Sequence, residues 1–215
     1  MKKLSLIILF FIAFINLKAQ EVPFSKDIQN FKKKDSLAFP PKKAVLFIGS
    51  STFTKWTDVQ TYFPNHTIIN RGFGGSSLPN LIYFVKDIVY PYKPKQVVIY
   101  CGENDFTGGA TAQVVADRVK QLFDLIREKY PKVYITYISI KPSPSREKYW
   151  PLMVDANKKI MELISKTKRA TYINTYDAMF NSDGTIMKDI FLSDNLHMNA
   201  KGYAIWAPIM EPYLK

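Results

Sequence analysis

From residue 44 onward, short apolar runs alternate with longer amphipathic stretches. Ala44-Val45-Leu46-Phe47-Ile48, Thr67-Ile68-Ile69-Asn70, Gln96-Val97-Val98-Ile99-Tyr100, Val133 through Ile138, and Thr171-Tyr172-Ile173-Asn174 are rich in β-branched and aromatic residues. Each is bounded by Gly, Pro or polar clusters, the pattern of a buried strand. Between them the spacing predicts helices near 77–89, 111–129, 149–167 and 200–211. In the second, Val115, Val119, Leu122, Phe123 and Ile126 recur at three- and four-residue steps and make one apolar face. Strands alternating with helices predict a five-stranded parallel sheet covered on both faces by right-handed crossovers, a single three-layer α/β/α domain over residues 44–215.

The first twenty residues have another character. Met1-Lys2-Lys3, an apolar run from Leu4 to Leu17, and Lys18-Ala19-Gln20 give the charged start, short hydrophobic region and small-residue exit of a secretory signal. The run is too short and too early for a stable membrane span, and no Cys follows it to carry a lipid. Residues 1–20 are therefore expected to be a signal peptide. The mature chain would begin near Gln20 or Glu21, with a secreted or periplasmic destination. Residues 21–43 read as a polar lead-in carrying Lys32-Lys33-Lys34 and Lys42-Lys43.

Composition narrows the chemistry. The 215 residues are 47% hydrophobic and 22% charged, which is globular and neither disordered nor collagen-like. One Cys and two His exclude a disulfide framework and argue against a structural zinc site. The net charge of +12, less the three lysines of the leader, leaves +9 for the mature chain. These charges are scattered and accompany no nucleic-acid-binding motif, so they read as a solvated face rather than a nucleic-acid surface.

In parallel α/β sheets functional groups gather beyond the carboxyl ends of the strands, and here those loops are distinctive. They read Gly49-Ser50-Ser51-Thr52, Gly72-Phe73-Gly74-Gly75-Ser76, Gly102-Glu103-Asn104-Asp105 and, near the end of the chain, Asp194-Asn195-Leu196-His197. Acyl transfer by a serine needs a nucleophile, a nitrogen base, an acid to orient the base, and donors for the oxyanion. His66 enters the second strand at its amino end, away from those loops, which leaves His197 as the histidine base. Asp194, three residues earlier, can fix its tautomer. Each loop alone also has a structural reading: Ser caps helices, Gly-Gly makes a turn, and Asn closes an Asx turn. No dinucleotide fingerprint or P-loop is present. Cys101, at the end of a strand, reads as packing.

Together the four blocks resemble those of the SGNH hydrolases, the GDSL-type esterases and lipases, over roughly residues 44 to 212. The resemblance implies a flavodoxin-like fold and a serine esterase with Ser51 as nucleophile, Asp194 and His197 completing a triad, and the Ser51 N–H, Gly75 and Asn104 forming the oxyanion hole. It implies no metal and no cofactor. The first block departs from the family pattern: the usual Gly-Asp-Ser is Gly49-Ser50-Ser51 here, which leaves Ser50 as a second candidate nucleophile. In the Pro-stiffened loop after the fourth strand, Lys141 and Arg146 are candidates for facing substrate. Platelet-activating-factor acetylhydrolase-like and carbohydrate acetylesterase branches suggest small acyl esters. A lysophospholipase or thioesterase on the same triad, or a non-catalytic carbohydrate-binding domain, are the alternatives.

Overall fold

The computed structural model of the chain describes residues 22–215, so the expected signal peptide lies outside the described residues. Five parallel strands, β1 (Val45–Gly49), β2 (Ile68–Gly72), β3 (Gln96–Tyr100), β4 (Tyr134–Ile138) and β5 (Ala170–Ile173), form one sheet in the order β2-β1-β3-β4-β5. The helices in chain order are α1 (Ser25–Leu37), α2 (Ser51–Thr54), α3 (Val59–Tyr62), α4 (Leu78–Tyr83), α5 (Val85–Ile88), α6 (Glu103–Thr107), α7 (Ala112–Lys129), α8 (Trp150–Ser165) and α9 (Ala200–Met210). This is the flavodoxin-like strand order of a three-layer α/β/α fold.

Strand alternation divides the core in two. Leu46, Ile48, Val97 and Ile99 face the side covered by α1, α4, α5, α7 and α8, whereas Val45, Phe47, Val98 and Tyr100 face α2, α3 and α9. On α7 the predicted apolar face is fully buried at Val115, Val119, Leu122 and Ile126. Burial of each such side chain contributes roughly 1.5–3 kcal/mol. Thr111 starts that helix, its hydroxyl accepting the Val114 N–H at 3.3 Å.

Two elements differ from the sequence pattern. The expected helix 77–89 is two pieces, because Phe84 (φ −94°, ψ 9°) leaves helical geometry between α4 and α5. The lead-in is not merely polar: α1 packs on the sheet through Phe24, Ile28 and Phe31, spaced four and three residues apart, while Lys32, Lys33 and Lys34 stay exposed. Asp35 at its end pairs with the buried Arg71 of β2. Arg71 also donates to the Tyr92 hydroxyl at 2.7 Å and lies 5.2 Å from the Phe31 ring centre.

Candidate active site

The carboxyl ends of three strands meet at the topological switch point, with Gly49 in register with Gly72 on one side and Tyr100 on the other. Gly49 is required there. Its φ is +156°, and a Cβ would stand 2.0 Å from the Tyr100 carbonyl oxygen. Next come Ser50, in extended conformation, and Ser51, the first residue of α2. The two hydroxyls have different partners: Ser51 Oγ lies 2.9 Å from His197 Nε2, whereas Ser50 Oγ accepts from Asn104 Nδ2 at 2.9 Å.

His197 projects from a tight loop between β5 and α9 in which Asn195 adopts left-handed backbone (φ 53°), a conformation Asn tolerates. Asp194 Oδ2 lies 2.7 Å from His197 Nδ1, and its Oδ1 accepts the N–H groups of Leu196 (3.0 Å) and His197 (2.9 Å). Partial burial pulls the Asp194 carboxyl upward, but hydrogen bonds from the His197 ring and the two backbone N–H groups prevail and hold it well below the usual carboxylate range. An ionised carboxylate can only accept, so this pairing puts the imidazole proton on Nδ1 and leaves the Nε2 lone pair for the Ser51 hydroxyl. Three successive carbonyls of the loop are tied from outside: Asn195 by the Ser145 N–H (3.0 Å), Leu196 by the Lys141 ammonium (2.9 Å) and His197 by the Leu192 N–H (2.7 Å).

Beside Ser51 runs the Gly74-Gly75 turn. A Cβ on Gly74 would lie 3.9 Å from that of Ser51, and Gly75 takes a φ of +80° that favours glycine. Among the described residues, neither the Ser51 N–H nor the Gly75 N–H donates a hydrogen bond within the protein. Asn104 differs. Both its amide protons are engaged, one by Ser50 Oγ and one by the Ser76 carbonyl at 3.0 Å. Donation to a substrate oxygen therefore exchanges one of these bonds. The bond to the neutral Ser50 hydroxyl is easier to exchange than one to a carboxylate, which would be the stronger acceptor.

Neighbouring groups brace these loops. Asp105 accepts the Leu78 N–H at 3.0 Å and Arg118 at 2.7 Å; burial outweighs both partners and pushes its carboxyl up. The fully buried Cys101 thiol is pushed well above its ordinary range by burial, which makes it packing rather than a nucleophile. His66 lies elsewhere, against Glu211 and the Lys215 carbonyl.

The expectation for Lys141 needs correction. It is 1% exposed, with its ammonium on both Glu103 oxygens and the Leu196 carbonyl, so it does not face substrate. Its place in a loop at the carboxyl edge of the sheet suggested substrate, but two acceptors from different loops draw the side chain inward. Arg146 is partly exposed, its Nε is buried without a partner, and its guanidinium makes no ion pair among the described residues. Sequence reasoning missed Glu103. The available signal was an acid and a lysine of opposite charge just past the ends of the adjacent strands β3 and β4.

A flavodoxin-like sheet with these loops at its switch point is the architecture of an SGNH hydrolase. Residues 35–205 match the GDSL-like Lipase/Acylhydrolase family, and the chain belongs to that family. The platelet-activating factor acetylhydrolase IB subunit alpha1 of Bos taurus is 27% identical over 176 residues, covering 74% of this chain and 69% of that protein. A GDSL-like lipase from Bacteroides thetaiotaomicron superposes with a TM-score of 0.71 at 19% identity, over 86% of this chain and 96% of its own. A carbohydrate esterase family 3 structure from Talaromyces cellulolyticus gives 0.61 at 17%, over 79% and 94%. At such identities the two structures establish the shared fold.

Proposed function

We propose that this hydrolase is an exported serine esterase that removes small acyl groups, acetyl foremost, from a carbohydrate or lipid ester. The reading rests on one observation, the hydrogen-bonded line from Asp194 through both ring nitrogens of His197 to Ser51 Oγ at 2.7 and 2.9 Å. In the proposed reaction His197 Nε2 takes the Ser51 proton as Oγ bonds to the ester carbonyl carbon. The oxyanion is held by the N–H groups of Ser51 and Gly75 and by the Asn104 amide. Collapse breaks the bond to the alcohol oxygen, which receives the proton from His197. Water, deprotonated by the same nitrogen, then releases the acid and restores the Ser51 hydroxyl.

The acetyl preference draws on the acetylhydrolase and carbohydrate esterase names of the relatives. The site's geometry is compatible with a bulky alcohol left outside: the His197 side chain is 16% exposed, while Asp194 at the rim is 45% exposed. Export draws on the leader-like residues 1–20, and N-terminal sequencing of protein from the native host should find a chain starting near Gln20 or Glu21; an intact Met1 in the cytoplasm would exclude it. The function is tested by fluorophosphonate labelling and a panel of acetylated sugars, lysophospholipids and nitrophenyl esters of rising acyl length. Ser51-dependent labelling and rates that fall with acyl length are expected. A preference for long acyl chains would favour the lysophospholipase or thioesterase alternative. Absence of both labelling and hydrolysis would favour a binding domain.

A further inference from the structure

Among the buried ionic groups that the ester hydrolysis proposed above does not use, one has specific connections to the site loops. Lys141 follows β4 and is 1% exposed; its ammonium meets three acceptors, Glu103 Oε2 at 2.9 Å, Glu103 Oε1 at 3.2 Å and the Leu196 carbonyl at 2.9 Å. Glu103 is equally filled, since Oε1 also accepts the Ser143 hydroxyl at 2.8 Å and Oε2 the Tyr100 hydroxyl at 2.9 Å. A buried ion pair is a poor source of stability compared with apolar side chains of similar size. This one joins two loops. Glu103 directly precedes Asn104, and Leu196 directly precedes His197.

We infer that Lys141 is a positioning residue for ester hydrolysis: through Glu103 and the Leu196 carbonyl it sets the spacing between the oxyanion donor Asn104 and the base His197. The inference rests on the esterase reading of Ser51 and His197. Backbone N–H groups hold the carbonyls of Asn195 and His197, so the ammonium is the charged donor among the three, and charge-assisted bonds are roughly twice as strong as neutral ones. Without it the Leu196 carbonyl loses the charged donor that ties the His197 loop to the loop after β3, with or without a carboxylate at residue 103, and the His197 loop moves away from Ser51. A displacement of about 1 Å in such a constellation lowers turnover on the order of 10²-fold.

The test compares wild type with Lys141→Met and Lys141→Met/Glu103→Gln, reading kcat, KM, the rate of fluorophosphonate labelling and the melting curve. The double variant leaves no unpaired charge at this position, and the Gln amide keeps partners for the Tyr100 and Ser143 hydroxyls, so it should unfold cooperatively. Its kcat should fall on the order of 10²-fold with KM near the wild-type value, and probe labelling should slow in parallel. Wild-type kcat in the folded double variant, or a loss confined to KM, would overturn the inference. Failure of both variants to fold would also overturn it, by assigning the pair to the fold alone. Failure of the esterase reading looks different, because the wild-type protein would then neither label nor hydrolyse esters.

Discussion

Replacing Asn104 with Ala separates transition-state stabilisation from loop bracing. The variant loses two hydrogen bonds, to Ser50 Oγ at 2.9 Å and to the Ser76 carbonyl at 3.0 Å. At about 0.5–1.5 kcal/mol net for each bond, the stability loss is roughly 1–3 kcal/mol. For a chain of this size that corresponds to about 2–12 °C in melting temperature. The catalytic loss follows another rule. An amide that donates to the oxyanion acts mainly when negative charge develops, and removal of one such donor lowers turnover by about 10²–10³-fold, or roughly 3–4 kcal/mol of barrier. On nitrophenyl acetate at a temperature where the variant is fully folded, kcat should therefore collapse while KM changes little. The isosteric Asn104→Asp keeps the shape but puts an acceptor where a donor is needed, and should lose at least as much. A folded Asn104→Ala protein with near-wild-type kcat would remove Asn104 from the oxyanion hole and leave it a brace between the loops after β1 and β2.

Ser51→Ala should lower turnover by at least ~10⁴-fold and abolish probe labelling; Ser50→Ala, which removes only a partner of Asn104, should cost about two- to tenfold, and the reverse order would reassign the nucleophile. Because Asp194 is held below the usual carboxylate range, its stabilising contribution is fully present above the unfolded value of about 3.9 and is lost only as pH falls through the depressed folded value. The kcat/KM profile should accordingly show no ionisation near pH ~4; one there would mean that Asp194 titrates normally. Chelators should leave the rate unchanged, and inactivation reversed by a divalent ion would overturn the metal-free mechanism. Gly49→Ala should destabilise the fold by about 3 kcal/mol or more, measured by denaturant unfolding, because its Cβ would meet the Tyr100 backbone oxygen at 2.0 Å; a neutral result would show that β1 and β3 can separate.

The central strands β1 and β3 were legible because Val45 to Gly49 and Gln96 to Tyr100 are buried throughout, so apolar runs mark them directly. The loops of the site were legible because short blocks with unusual Gly, Ser and Asn content fall at strand ends. Helix α1 was not, since Phe24, Ile28 and Phe31 make a sparse apolar face interrupted by polar residues and followed by a run of lysines that dominates local composition. The direction of Lys141 was also hidden. A lysine beside prolines in a polar loop normally reaches water, and its acceptors, Glu103 and the Leu196 carbonyl, are 38 and 55 residues distant in the chain. Ser50 was ambiguous for a similar reason: adjacent serines look alike in sequence, and only the turn into α2 gives one hydroxyl to the imidazole and the other to the amide.

Helix α1 also changes where the smallest working piece of this protein begins. The family match starts at residue 35, inside that helix. A chain cut to begin at residue 38 would keep every proposed catalytic residue, yet it would leave the Arg71 guanidinium without its carboxylate, since Asp35 holds it now. Stranding one member of a largely buried pair costs roughly 3–5 kcal/mol, a large part of the stability of an ordinary domain. The cut would also strip Phe24 from its edge-on packing with Phe73, at 5.4 Å between ring centres, and from the flank of Gly75. A truncation at the family boundary itself would keep Asp35 but still lose Phe24, and so would loosen the turn proposed to receive the oxyanion; its low activity would be misread as a weak enzyme.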